Sequence, residues 1–223
     1  MLSHTEIKNI IQWQGVLPLF FAEDETVSIE VLKALYEAGI RVIEYTNRGE
    51  NALRNFKALK NICASDYKDM LLGVGTIKSA DAANAFINAR ADFLISPAYV
   101  DEVFDVAAEK NILWIPGCMT STEINKAELK SITMVKLFPG SLLGPSYVTA
   151  IKEIFPAIQF MPTGGVSLDK NNLEDWFKAG VAAVGMGSKL ISKDLLASKK
   201  YTDITNLTKQ AINMINEIRS TLK

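Results

Sequence analysis

The chain has 223 residues, about half of them apolar and 22% charged, with a formal net charge of −1. That is the make-up of one ordinary globular domain, and it excludes a disordered chain, a fibrous one and a polyanion binder that works by bulk charge. Two cysteines, Cys63 and Cys118, are too few for a disulfide framework, and a single histidine, His4, argues against a His-rich metal site.

The N-terminus, MLSHTEIKNIIQWQG, lacks the basic region and apolar core of a signal peptide, and no apolar run reaches membrane-span length. A cytoplasmic protein with no membrane partner is expected. Residues 3–13 read as a helix placed ahead of the first strand, able to cap the bottom of a barrel.

Short apolar runs then recur: VLPLF (16–20), RVIEY (41–45), MLLGV (70–74), DFLIS (92–96), ILWIP (112–116), TMVKLF (133–138), IQFMP (158–162) and AAVGMG (182–187). Their starts lie 20 to 29 residues apart. Most are continuous rather than alternating, as in strands of a parallel sheet covered on both faces. Helical patterns separate them at 28–39, 79–91, 100–111, 121–130 and 172–180, and 202–222 reads as a final amphipathic helix. Eight strands alternating with helices predict a (β/α)8 TIM barrel with an additional N-terminal helix and a C-terminal helix. An open doubly wound sheet is the alternative. No Pro-, Gly- or Ser-rich linker divides the chain, so residues 1–223 read as one domain.

The informative anomaly is Lys136, inside the apolar run MVKLFPG. Lysine is almost never fully buried unless paired or used. Barrel side chains alternate between interior and helix layer, so an inward Lys136 sits with Met134 and Phe138, and Pro139-Gly140 places it near the strand's C-terminal end. Catalytic groups cluster there. Desolvation lowers a lysine pKa from about 10.4 toward 7–8, freeing an amine that attacks a ketone. A structural lysine that snorkels or pairs with a carboxylate is the competing reading.

VIEYTNR (42–48) supplies a partner. Glu44 in strand two and Lys136 in strand six of eight can share an interior layer, with Glu44 as general acid and base. The plainer reading is a buried ion pair. Arg48 lies past the strand and can clamp a carboxylate, or sit as a solvated loop arginine. GVGT (73–76) offers glycines for close backbone approach and a Thr76 hydroxyl; a plain strand-end turn fits as well. PTGGVS (162–167) and GMGSKL (185–190) follow strands seven and eight, whose loops commonly form a phosphate site. Gly164, Gly165, Gly187 and the Ser188 hydroxyl are the candidate cradle. Cys118 follows Pro116-Gly117 near the mouth, with no histidine beside it to activate a thiolate. No cluster resembles a metal site, and no cofactor or nucleic-acid partner is called for.

Six of these motifs, VIEYTNR, GVGT, LISPAYV, WIPGCMT, VKLFPG and MPTGGVS, stand in one order from residue 42 to 167. In that order the sequence resembles the 2-keto-3-deoxy-6-phosphogluconate (KDPG) aldolase family, which includes 4-hydroxy-2-oxoglutarate (KHG) aldolases. The resemblance implies a metal-independent class I aldolase on a (β/α)8 barrel, generally trimeric, acting on a small 2-oxo acid. It implies Lys136 as the Schiff-base lysine and Glu44 as general acid and base. It implies Arg48 and Thr76 at the pyruvate end, and Gly164, Gly165 and Ser188 at the phosphate end; Pro116 and Gly187 are also counted among the substrate-binding residues. Cleavage of KDPG to pyruvate and glyceraldehyde 3-phosphate is the expected reaction, with KHG as a further substrate. A galactonate-epimer aldolase and a non-catalytic sugar-phosphate barrel are the alternatives. The chain departs from many relatives at Gly140-Ser141, where Ala-Glu is common, at Tyr45 and Asn47, and at Cys118-Met119.

Overall fold

The structure is a computed structural model that describes residues 2–222. It opens with α1 (His4–Gln14), β1 (Val16–Phe20), α2 (Glu25–Glu37), β2 (Val42–Thr46), α3 (Ala52–Ser65) and β3 (Leu71–Gly75). There follow α4 (Ala80–Asn88), β4 (Phe93–Ile95), α5 (Asp101–Glu109), β5 (Leu113–Ile115), β6 (Gly117–Cys118), α6 (Ser121–Leu129) and β7 (Met134–Leu137). The remainder is α7 (Gly140–Ile154), β8 (Gln159–Pro162), α8 (Lys170–Lys178), β9 (Val184–Met186), α9 (Lys193–Ala197) and α10 (Tyr201–Thr221).

Each of the eight apolar runs contains a strand. The fifth is split, because Pro116 has no N–H to donate and interrupts the ladder between β5 and β6. All strand pairs are parallel, in a curled six-stranded sheet ordered β5-β4-β3-β2-β1-β9 and a three-stranded sheet ordered β6-β7-β8. The two sheets touch at both ends. Pro116 joins β5 to β6 through the chain, and a parallel bridge pairs Thr163 with Gly185 beside an Ala182 N–H to Phe160 O bond of 2.9 Å.

Local chemistry sets the helix ends. Ser3 with Glu6 and Thr120 with Glu123 form capping boxes, and Asp24, Ser79, Asp169 and Ser192 each accept from a first-turn N–H. Gly15 ends α1 in the left-handed region, where a Cβ is costly. Inside α7, Gly144 (φ 72°) and Pro145 break the helix into two pieces, since Pro145 has no N–H for the helical ladder.

Strand alternation sorts the apolar residues into two layers. Leu17, Val42, Phe93, Ile115, Met134 and Met161 face one cluster, closed from below by Ile7 and Ile11 of α1. Their neighbours Val16, Ile43, Leu94, Trp114, Val135 and Phe160 face the helices. Trp114 and Phe160 therefore belong to the helix layer, not the interior. Burying an isoleucine such as Ile11 contributes about 1.5–3 kcal/mol, so α1 is a structural base.

Gln14 completes that base. Its Nε2 donates to Val16 O (2.6 Å) and Val42 O (2.9 Å), and its Oε1 accepts from Arg41 N (2.7 Å) and Val42 N (3.1 Å). The last helix, α10, packs on α2 and α8. Its stripe buries Ile204, Ala211, Ile215 and Ile218, with Thr208 between them, while Leu207 and Ile212 are half-buried. Arg219, lying over the Phe177 ring, donates to Ala182 O. Among the described residues no helix is long and apolar enough to cross a membrane.

Candidate active site

Parallel strands of matched register bring distant residues to one level. Glu44 is the middle residue of β2 and pairs with Leu19 on β1 and Gly73 on β3. Lys136 is the third residue of β7 and pairs with Gly117 on β6 and Met161 on β8. Both side chains face the interior, as Val42 and Met134 do one step below. Lys136 Nζ lies 3.4 Å from Glu44 Oε1 and 3.5 Å from Oε2. The residues are 5% and 1% exposed, so the pair is held away from bulk water.

Charge-assisted N–H···O contacts usually close to about 2.7–2.9 Å. The Lys136–Glu44 separation is looser, and the amine also stands 5.6 Å from the Phe138 ring centroid. The lysine is thus opposed to a carboxylate without a tight bond. Its backbone is fixed by its N–H donating to Pro116 O at 2.8 Å, which is the place Pro116 takes in the site.

The glycines of GVGT have a different purpose from the expected backbone approach. A Cβ on Gly75 would lie 1.7 Å from Glu44 Oε1, and one on Gly73 would lie 2.2 Å from the Phe93 ring. Both are absent side chains that make interior room, one for the carboxylate and one for the aromatic ring beneath it. Thr76 follows at φ 64°, an uncommon conformation for a β-branched residue. Such backbone strain gathers at functional sites.

Above the pair opens a cleft of ≈ 490 Å³ lined by Leu19, Phe20, Phe21, Thr46, Arg48, Phe138, Thr163, Gly164, Gly187, Ser188, Ile191, Lys193 and Leu196. Four of the expected residues, Arg48, Gly164, Gly187 and Ser188, meet there. Arg48 is exposed in the loop after β2. Gly165 does not line the cleft. It turns at φ 73° against the Ser141 backbone, where a Cβ would come within 2.5 Å of Ser141 Cα. Gly140 is packed in the same way, because a Cβ there would meet Gly164 O at 2.5 Å. Thr76 and Pro116 lie outside the cleft lining, nearer the strands.

Thr163 and Lys193 are polar cleft residues that the sequence reading did not single out. Thr163 Oγ1 is buried with no hydrogen-bond partner among the described residues, so it can meet a bound polar group. Lys193 opens α9, a short helix that was not anticipated either. The signal for Thr163 was present in PTGG; for Lys193 there was none without the chain's path. Cys118 takes no part. Burial, with a lesser push from the Glu123 charge, raises its thiol to about 12, so it stays protonated and unreactive. A second cavity, ≈ 240 Å³, lies at the opposite end between α1 and the starts of β5 and β7 and holds none of these groups. Among the described residues there is no group of three or more His, Cys, Asp or Glu suited to a metal ion.

A parallel α/β protein that buries a lysine amine against a carboxylate, beneath a glycine- and arginine-lined cleft at the strand ends, has the equipment of an imine-forming lyase. Comparison with known proteins carries this further. The family model described as KDPG and KHG aldolase matches residues 7–207, and the chain belongs to that family and is an aldolase. It is 35% identical over 200 residues to 2-dehydro-3-deoxy-phosphogluconate aldolase of Pseudoalteromonas atlantica, covering 88% of this chain and 89% of that one. It is 29% identical over 210 residues to KHG/KDPG aldolase of Escherichia coli K12, covering 93% and 95%. Among solved structures it resembles the KDPG aldolase of Legionella pneumophila with pyruvate captured as a covalent carbinolamine. The TM-score is 0.83 with 27% identity, over 91% of this chain and 96% of that one.

Proposed function

We propose that this chain is a class I aldolase that cleaves 2-dehydro-3-deoxy-6-phosphogluconate to pyruvate and glyceraldehyde 3-phosphate, and also accepts 4-hydroxy-2-oxoglutarate. The observation that carries the reading is the buried opposition of the Lys136 amine and the Glu44 carboxylate. The names of the relatives, and the pyruvate carbinolamine in the Legionella enzyme, support the substrate and the covalent route.

In this reading the deprotonated Lys136 amine adds to the C2 carbonyl and forms a carbinolamine. Glu44, acting as the acid, protonates the carbinolamine hydroxyl, which leaves as water and gives an iminium with Glu44 as a carboxylate. Glu44 takes the proton of the C4 hydroxyl, the C3–C4 bond breaks, and its electron pair moves into a lysine-bound enamine while the aldehyde leaves. Protonation at C3 and hydrolysis release pyruvate and restore the amine. Arg48 and Thr76 hold the carboxylate end. Gly164, Gly187 and Ser188 hold the phosphate end, with Gly165 shaping the turn that carries Gly164.

The same reading closes the two sheets into one (β/α)8 barrel, with β5 and β6 as one stave. The Thr163–Gly185 bridge and the continuity through Pro116 support it. It takes residues 1–223 as one domain, cytoplasmic, and assembled as a homotrimer.

Borohydride trapping with pyruvate, followed by peptide mapping, tests the chemistry. A reduced pyruvyl adduct on Lys136, lost in Lys136→Ala, is expected. Folded protein that gives no adduct, or an alanine variant that still turns over, would refute it.

A further inference from the structure

The cleft has an unused charge. Among the described residues Arg48 and Lys193 are the two ionisable side chains in its lining, and no carboxylate lines it. Among the described residues neither cation has a carboxylate within 4.0 Å. They stand on opposite sides of β1, since the sheet runs β2-β1-β9, with Arg48 beyond β2 and Lys193 beyond β9. Leu19, Phe20 and Phe21 form the apolar wall between them. Lys193 shares its side of the cleft with Ser188 and Gly187, and Gly164 comes from the neighbouring β8 end. Asp194 beside it is outside the lining.

We infer that Lys193 is the specificity-determining cation for the far end of the substrate, favouring a sugar acid that ends in phosphate over the same acid ending in a hydroxyl. This rests on the aldolase reading and sharpens it. A substrate fixed at Lys136 carries a carboxylate at one end and a phosphate of nearly two charges at the other. Arg48, with a planar fork, matches a carboxylate, while a lysine acts as a mobile point charge suited to phosphate. Backbone N–H groups and the Ser188 hydroxyl give a phosphate hydrogen bonds but no full countercharge. Lys193 supplies one, on an exposed side chain that lines the same side of the cleft as Ser188.

The test compares kcat/KM for 2-keto-3-deoxy-6-phosphogluconate and for unphosphorylated 2-keto-3-deoxygluconate in wild type, Lys193→Met and Lys193→Arg. The phosphorylated-to-unphosphorylated ratio should fall about tenfold in Lys193→Met, equivalent to roughly 1.4 kcal/mol. It should recover in Lys193→Arg, which keeps the charge. In parallel, calorimetric binding of glycerol 3-phosphate should weaken about tenfold in Lys193→Met, a readout that needs no catalysis. A ratio and an affinity within twofold of wild type would overturn the inference. So would an arginine variant as impaired as the methionine one, or no saturable binding by wild type. Failure of pyruvate to label Lys136 would sink the aldolase reading alone, and the glycerol 3-phosphate measurement would still decide the role of Lys193.

Discussion

Replacing Gly75 by alanine tests the site without substituting a reacting group. The added Cβ would lie 1.7 Å from Glu44 Oε1, 2.4 Å from Cδ and 2.7 Å from Cγ. Real Cβ contacts essentially never fall under 3.0 Å, so the carboxylate oxygen must retreat by at least 3.0 − 1.7 = 1.3 Å. A misplacement of about 1 Å can cost about a hundredfold in rate. Overpacking itself costs about 1–3 kcal/mol of stability. Gly73→Ala is the matched control: two residues earlier on the same strand, its Cβ would meet the Phe93 ring at 2.2 Å, and its three nearest contacts are Phe93 ring atoms rather than the carboxylate. Both variants should lose comparable stability in urea unfolding. Only Gly75→Ala should lose about a hundredfold in kcat, read as pyruvate formed in a coupled lactate dehydrogenase assay. Gly75→Ala keeping kcat within threefold of wild type, or Gly73→Ala losing as much, would refute the claim that the Glu44 position governs turnover.

Two further outcomes concern stability. Gln14→Leu strips four backbone groups of their partners at the base of β1 and β2. It should cost about 3 kcal/mol or more in urea unfolding, given roughly 1–3 kcal/mol per buried unsatisfied group; a loss under about 1 kcal/mol would contradict this. Burial raises the thiol of Cys118 from 9.0 to about 12. The unfolded chain therefore loses this proton first, and the contribution present below pH 9 drains away as pH rises toward 12. The gap amounts to about 4 kcal/mol at most. Native protein should resist iodoacetamide at Cys118 at pH 8, and Cys118→Ala should flatten the alkaline fall in stability. Rapid native alkylation would show that the thiol is not buried as described.

Strands were legible because a parallel sheet covered on both faces demands unbroken apolar runs, and each of the eight runs holds one. Lys136 and Glu44 were legible for the converse reason: a charge inside such a run has to be explained. Helices were read less completely. The α3 segment, ALRNFKALKNICAS, has a usable apolar stripe, but Asn51 ahead of it makes no side-chain cap bond and no acidic residue stands in its first turn, so its start is weakly marked. The Gly144-Pro145 break disguised α7, and α9 is five residues long. Glycines were the hardest to interpret. GVGT and PTGG look alike as strand-end turns, yet Gly73 and Gly75 empty space for side chains on other strands, Gly164 faces the cleft, and Gly165 backs onto Ser141. Those distinctions depend on residues 20 to 31 positions away or more, and no local pattern encodes them.

The stopper formed by Ile7, Ile11 and Gln14 has a kinetic consequence. Ile7 and Ile11 pack under the interior cluster, so in the proposed reaction the substrate approaches Lys136 from the cleft side. In that reaction the pyruvyl fragment is the innermost piece and the aldehyde lies above it, toward Gly164 and Ser188. The order of departure is then imposed by position as well as by bonding: the aldehyde leaves first, water follows it down, and pyruvate comes out last. In the condensation direction the queue reverses, with pyruvate loaded before the aldehyde closes the entrance behind it.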